Sequence, residues 1–190
     1  MNEIYLLSKD ERELFFRSAA EIMQLPLEII EKDYWVVWIL ERLFSLEKLK
    51  SHLTFKGGTS LSKIYKVIDR FSEDLDLSIE RELLGFGPLK GPENAPSKKK
   101  QRAVLDNLSE VCSHYVQTEL LRNLKEAILA KLQTAEGWQI FPDQEDPDAQ
   151  TLLFEYPSRI SKIGYIRPFV KIEIGARSEH WPVSKYKIQS

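Results

Sequence analysis

Apolar residues recur at helical spacing in three stretches of the chain and at strand spacing in shorter ones. Ser8-Lys9-Asp10-Glu11 forms a capping box, in which the Ser8 hydroxyl and the Glu11 carboxylate satisfy each other's orphan amides. The helix it opens is predicted to reach about Met23, with Leu14, Phe15, Ala19, Ile22 and Met23 on its buried side. Pro26 suits the first turn of a second helix through Ile30, Tyr34, Val37, Trp38 and Leu40 to Phe44. On such a helix, among apolar neighbours, Tyr34, Trp35 and Trp38 are expected to pack into the core rather than stack on bases. Thr54-Phe55 predicts a short strand ending at Gly57-Gly58, followed by a helix over 59–68 and a strand over Asp74–Ile79. The glycines and prolines between Gly85 and Pro96 make a loop. After it comes the longest helical pattern, with Val104, Leu108, Val111 and Tyr115, then Leu120, Leu124, Ile128 and Leu132 along one stripe. Lys98, Lys99, Lys100 and Arg102 open that helix, as a solvated start or as a surface that steers RNA. An acidic turn spans Pro142–Pro147, and Leu152–Tyr156 and Phe169–Ile174 read as strands. Helices interrupted by short strands predict an α+β domain. No internal repeat is present.

Composition narrows the function classes. The 190 residues suit one domain, with 43% hydrophobic and 29% charged residues, which is globular composition. Lys plus Arg total 27 against 29 Asp plus Glu, so the net charge of −2 excludes a strongly basic nucleic-acid coat. The single cysteine, Cys112, excludes an internal disulfide or a cysteine-based metal cluster. His52, His114 and His180 share no spacing that would suggest a metal site or a triad. No apolar run approaches the roughly 20 residues of a membrane-spanning helix, and Met1-Asn2-Glu3-Ile4 does not open a signal peptide. A cytoplasmic location is expected.

The chemistry concentrates in two short motifs and a third acid. In Arg70-Phe71-Ser72-Glu73-Asp74-Leu75-Asp76-Leu77, strand alternation sends Ser72, Asp74, Asp76 and Ser78 to one face and mostly apolar residues to the other. Asp74 and Asp76 then stand about 6.6 Å apart along the strand. Like charges held that close call for a cation, and Mg²⁺ prefers oxygen donors. In Val170-Lys171-Ile172-Glu173-Ile174 the apolar residues face the core and leave Lys171 and Glu173 on the other side. If the two strands are neighbours, Glu173 completes a three-carboxylate cluster able to hold two metal ions for phosphoryl transfer. Two surface acids on an edge strand would give the same Asp-x-Asp pattern. Lys56-Gly57-Gly58-Thr59-Ser60 is a glycine turn that lets backbone approach a phosphate and offers Thr59 or Ser60 as a helix cap. Its spacing is neither that of a Walker A loop nor that of a dinucleotide-binding fold. An ordinary capped turn would look alike. Lys56 and Lys63 flank it, and Arg70 could reach a triphosphate or pair with Glu73 or Asp74.

Taken in order, these pieces resemble the nucleotidyltransferases of the DNA polymerase β superfamily, and within it the AbiEii/AbiGii-type toxins, including the MenT-like ones. Lys56-Gly57-Gly58-Thr59 with Arg70–Leu77 is similar to that family's first motif, Glu31-Lys32-Asp33-Tyr34 to its N-terminal region, and Val170–Ile174 to its later acidic strand. The resemblance implies a mixed sheet packed by helices and an Mg²⁺-dependent transfer of NMP from an NTP to an acceptor. It further implies that Asp74, Asp76 and Glu173 hold a two-metal site, with Glu173 also orienting the attacking hydroxyl. Lys56, Gly57, Gly58, Thr59, Ser60, Arg70 and Lys171 would bind the nucleotide. The acceptor expected from the family is RNA, in particular the 3′ end of tRNA, and the expected protein partner is a cognate antitoxin. A further helical motif carrying Lys and Asp is not found, so these 190 residues read as a short member or as an N-terminal piece. Two other activities fit the same motifs: a non-catalytic nucleotide- or RNA-binding module, and a transferase that modifies a protein side chain.

Overall fold

The computed structural model describes residues 3–63 (of 61–63 the backbone alone), 74–158, 160, 168–176 and 184. Helix α1 spans Lys9–Met23, α2 Leu27–Ser45, strand β1 Leu53–Lys56, α3 Gly57–Lys63 and β2 Asp74–Ile79. Then follow α4 over Lys98–Tyr115, α5 over Leu121–Leu132, β3 over Gln139–Pro142, β4 over Thr151–Glu155 and β5 over Phe169–Gly175. The strands form one mixed sheet in the order β1-β2-β5-β4-β3. Among the described residues only the central β2–β5 pair is parallel; β1–β2, β4–β5 and β3–β4 are antiparallel. The α+β expectation is met.

The sheet has one apolar face. Leu75, Leu77 and Ile79 of β2 and Val170, Ile172 and Ile174 of β5 are all buried, with Leu152 and Phe154 of β4 beside them. Helices α2, α4 and α5 cover that face. Trp35 and Trp38 of α2 are fully buried, and the Trp38 ring stacks on Phe154 with centroids 5.8 Å apart. Aromatic packing of this kind adds about 0.5–1.5 kcal/mol per pair beyond the area it buries.

The long helical pattern resolves into α4 and α5 joined by a π turn over Val116–Leu120. Its buried residues follow a strict four-residue step: Leu108, Cys112, Val116, Leu120, Leu124, Ile128 and Leu132. At 3.6 residues per turn such a step drifts about 40° around the helix each time. The wider π turn returns the stripe toward the sheet.

Three expectations need correction. Helix α1 has the predicted capping box, with the Glu11 amide donating to Ser8 Oγ at 3.3 Å and Glu11 Oε2 accepting from the Ser8 amide at 2.9 Å. Its buried side is not the predicted one, however. Leu14 (67% exposed), Phe15, Ile22 (84%) and Met23 face outward, Ala19 is half-buried, and Arg12 and Phe16 are buried instead. The partners on α2 and the 156–158 segment select that side. Phe16 meets Tyr34, the Arg12 guanidinium lies over the Trp35 ring, and Arg12 Nη2 donates to the Pro157 carbonyl at 2.9 Å. Strand β3 was not expected; it is a four-residue edge strand ending in Pro142, a residue that sheets tolerate at an edge. Pro26 stands at the N-cap of α2 rather than inside its first turn.

Candidate active site

The opposite face of the sheet carries the polar side chains. The parallel register of β2 and β5 sets Asp76 opposite Glu173 and Asp74 opposite Lys171, while the β1–β2 register sets Lys56 opposite Asp76. The alternation read from the sequence therefore holds on both strands, and the neighbourhood it could not supply is present. The Asp76 and Glu173 carboxyl groups lie within hydrogen-bonding reach of each other, so that a proton on either can bridge them. Lys171 Nζ lies 2.7 Å from Glu173 Oε1.

The glycine turn belongs to the same place. Gly57 has φ +75°, and a Cβ built there would fall 1.8 Å from Asp76 Oδ2. Only glycine allows this turn to rest against the carboxylate. The Thr59 and Ser60 hydroxyls are turned to backbone: Thr59 Oγ1 donates to the Asp74 carbonyl, and Ser60 Oγ donates to the Gly57 carbonyl at 2.8 Å. Both residues are buried, so they tie α3 to the start of β2 and brace the turn itself. Gly58 follows in the first turn of α3. Arg70 lies outside the described residues.

A cleft of about 450 Å³ opens over these groups, lined by Lys56, Asp76, Lys171 and Glu173 on the sheet. Its far wall is the acidic turn, with Asp143, Glu145, Asp146 and Asp148 leading to Gln150 and Thr151. The turn was visible in the sequence as acids between two prolines; nothing local tied it to β2. It is a built structure. Asp143 Oδ1 accepts from the Glu145 amide at 3.0 Å, and Asp146 accepts from the amides of Asp148 and Gln150 at 3.0 and 2.8 Å. Gln150 Nε2 donates to Ser109 Oγ at 2.8 Å, which fastens the turn to α4. Asp74 stands on the same face as Asp76 but is not in the lining of the cleft.

The electrostatics follow from this geometry. Burial, then the charge and hydrogen bond of Glu173, push the Asp76 carboxyl above its ordinary range, against the pull of Lys56. Burial also works against ionisation at Asp146, but hydrogen bonds from Thr151, Gln150 and Asp148 outweigh it and hold that carboxyl below the usual range. The hydrogen bond to Glu173 raises the Lys171 ammonium, aided by the charges of Glu173, Asp74 and Asp143 and opposed by burial. Among the described residues no three His, Cys, Asp or Glu side chains close on a single point as metal ligands. The donor set nevertheless fits a hard divalent cation: it is all oxygen, two carboxylates already touch, and a third lies on the same face.

The sequence profile described as the nucleotidyl transferase AbiEii toxin of type IV toxin–antitoxin systems matches residues 38–190. The chain belongs to the AbiEii nucleotidyltransferase toxin family. The match takes in β1, the glycine turn, β2, the acidic turn and β5, the elements that line the cleft. Among solved structures the chain is similar to MenT4, the nucleotidyltransferase toxin Rv2826c from Mycobacterium tuberculosis H37Rv. Identity is 20% and the TM-score 0.37, over 80% of this chain and 39% of that one. The chain thus spans about two fifths of the length of that protein. No curated protein matches it. Among the described residues no helix of this AbiEii member is long and apolar enough to cross a membrane.

Proposed function

We propose that this AbiEii member transfers a nucleoside monophosphate from an NTP to an acceptor hydroxyl, and acts as the toxin of a toxin–antitoxin pair in the cytoplasm. The acceptor oxygen forms a bond to the α-phosphorus, the bond from that phosphorus to the bridging oxygen breaks, and pyrophosphate leaves. The observation that carries the reading is the parallel pairing of β2 with β5, which brings Asp76 and Glu173 into contact beside Gly57 and Lys56. Asp74, Asp76 and Glu173 would hold the Mg²⁺ ions of a two-metal centre. Ions held by these carboxylates would supply charge neutralisation for the triphosphate and for the attacking and leaving oxygens. Glu173 orients the acceptor hydroxyl and receives its proton. The Gly57-Gly58 turn, braced by Thr59 and Ser60, gives the phosphates a close approach to backbone, with Lys56, Lys171 and Arg70 as counter-charges. Positioning and charge neutralisation account for most of the rate in such transfers.

The acceptor we propose is RNA, at the 3′ end of tRNA, and the protein partner a cognate antitoxin. The test incubates the protein with Mg²⁺, each α-labelled NTP in turn, and total cellular RNA plus protein, beside the double variant Asp74→Ala, Asp76→Ala. Label on RNA that the variant fails to produce is expected, and it names the nucleotide. Label on protein would replace the acceptor with a side chain. A protein that binds NTP or RNA but transfers no label, even in a longer natural form, would be a binding module.

A further inference from the structure

The cleft carries its own cation at the carboxylates. Lys171 and Glu173 are two residues apart on β5, on the same face, with side chains 33% and 42% exposed and Nζ 2.7 Å from Oε1. Through the strand register Lys171 also stands opposite Asp74, and its charge acts on Asp143 across the cleft. The ammonium is therefore set among acids from β2, β5 and the acidic turn.

Resting on the metal-dependent reading above, we propose that Lys171 is a resident counter-ion, paired with Glu173 in the metal-free protein and displaced from it when a divalent cation binds. Asp76 and Glu173 face each other across neighbouring strands, and Lys171 Nζ stands 2.7 Å from Glu173 Oε1, where an ammonium meets carboxylates from both strands. Lys171 offsets the Glu173 charge, while Lys56 stands opposite Asp76; a divalent ion between the carboxylates offsets both at once. The two cations compete for the same carboxylate, because a divalent ion bound to Glu173 would repel an ammonium held beside it. Lysine suits the exchange: it is a point charge on a flexible stem, and its head is partly in water. An arginine would hold the carboxylate by two parallel hydrogen bonds and give way less readily. The ion pair thus keeps the free site intact and sets a threshold for metal entry.

The test titrates Mn²⁺ alone into the whole chain by calorimetry, with free Mn²⁺ followed by electron paramagnetic resonance. It compares the wild type with Lys171→Met and Lys171→Arg, each checked for folding by its melting curve. With an exposed ion pair contributing at most about 1 kcal/mol, the expected shift is about two- to fivefold. Tighter binding in K171M and weaker binding in K171R, in that order around the wild type, is the predicted result. The arginine variant keeps the charge, so a loss of affinity there separates competition for Glu173 from a simple change in net charge. Equal Mn²⁺ affinity in all three proteins, or an affinity that follows charge alone, overturns the counter-ion and leaves the metal centre standing. Absence of saturable Mn²⁺ binding in all three overturns both.

Discussion

The two faces of the central strands are built from adjacent residues under opposite demands. On β5, Ile172 is fully buried, while Lys171 and Glu173 on either side of it look into the cleft. On β2, Leu75 and Leu77 are fully buried, and Asp76 between them rests against Gly57 and Glu173. The apolar face gathers stability by leaving water. The polar face gathers like charges, which opposes folding and creates a place for a cation. Stability and chemistry thus separate across the thickness of one sheet, and substitutions one residue apart are expected to act on different quantities.

The largest expected effect is on the cleft face. Asp76→Asn should lower nucleotidyl transfer by at least about a thousandfold, several kcal/mol of transition-state stabilisation, measured as label transferred per time. It should not lower the melting temperature of the metal-free protein. The raised Asp76 titration means the fold favours the protonated carboxyl, so the ionised form costs stability as pH rises from the unfolded-state range through the raised folded value. Asparagine removes that cost, and the gain should vanish in acid, where the wild type is already protonated. A large drop in melting temperature at neutral pH would break the comparison.

On the core face, Ile172→Ala should cost about 2–5 kcal/mol of unfolding free energy by denaturant titration, while the protein that remains folded keeps its turnover. Gly57→Ala should act on both faces of the problem. A Cβ at φ +75° is strained and meets the Asp76 carboxylate, so we expect about 1–3 kcal/mol of destabilisation together with at least a tenfold loss of transfer. Wild-type turnover in this variant would separate the glycine turn from the site.

The smallest effect tests a buried acid away from the cleft. Glu31 of α2 is 4% exposed, accepts from Ser158 Oγ at 2.6 Å, and is pushed up to about 7, mainly by burial, against the Ser158 hydrogen bond and the Arg12 charge. Its folded value lies above the unfolded one, so stability is lost as pH rises from the ordinary carboxyl range to about 7 and then levels off. Glu31→Gln should therefore raise stability at pH 8 by about 1–2 kcal/mol and leave it nearly unchanged at pH 4. Equal shifts at both pH values would show that the acid is ionised in the fold without cost.

Local chemistry was enough for much of this. The capping box of α1, the limits of β2, the alternation on β2 and β5 and the glycine turn are all decided by residues within a few positions of one another, so they could be read in order along the chain. The burial of Trp35 and Trp38 follows from their spacing on an apolar helix. Periodicity also found α1, but it assigned the wrong side. Leu14, Phe15 and Ile22 make a continuous stripe in sequence, while the contacts of Arg12 and Phe16 with Tyr34, Trp35 and Pro157 decide which side turns inward. A helix's own pattern says that a face exists, and only the partner says which face is used.

What the sequence by itself determined, then, is the set of chemical groups, the elements that carry them and the face on which each strand displays its acids. The tertiary structure decided that β2 and β5 are parallel neighbours with Asp76 level with Glu173, that Gly57 closes against them, and that the turn over 143–148 forms the opposite wall. The physical reason is range: hydrogen bonding and side-chain alternation act between near residues, whereas strand pairing and cleft closure depend on segments distant in the chain that the apolar core alone brings together.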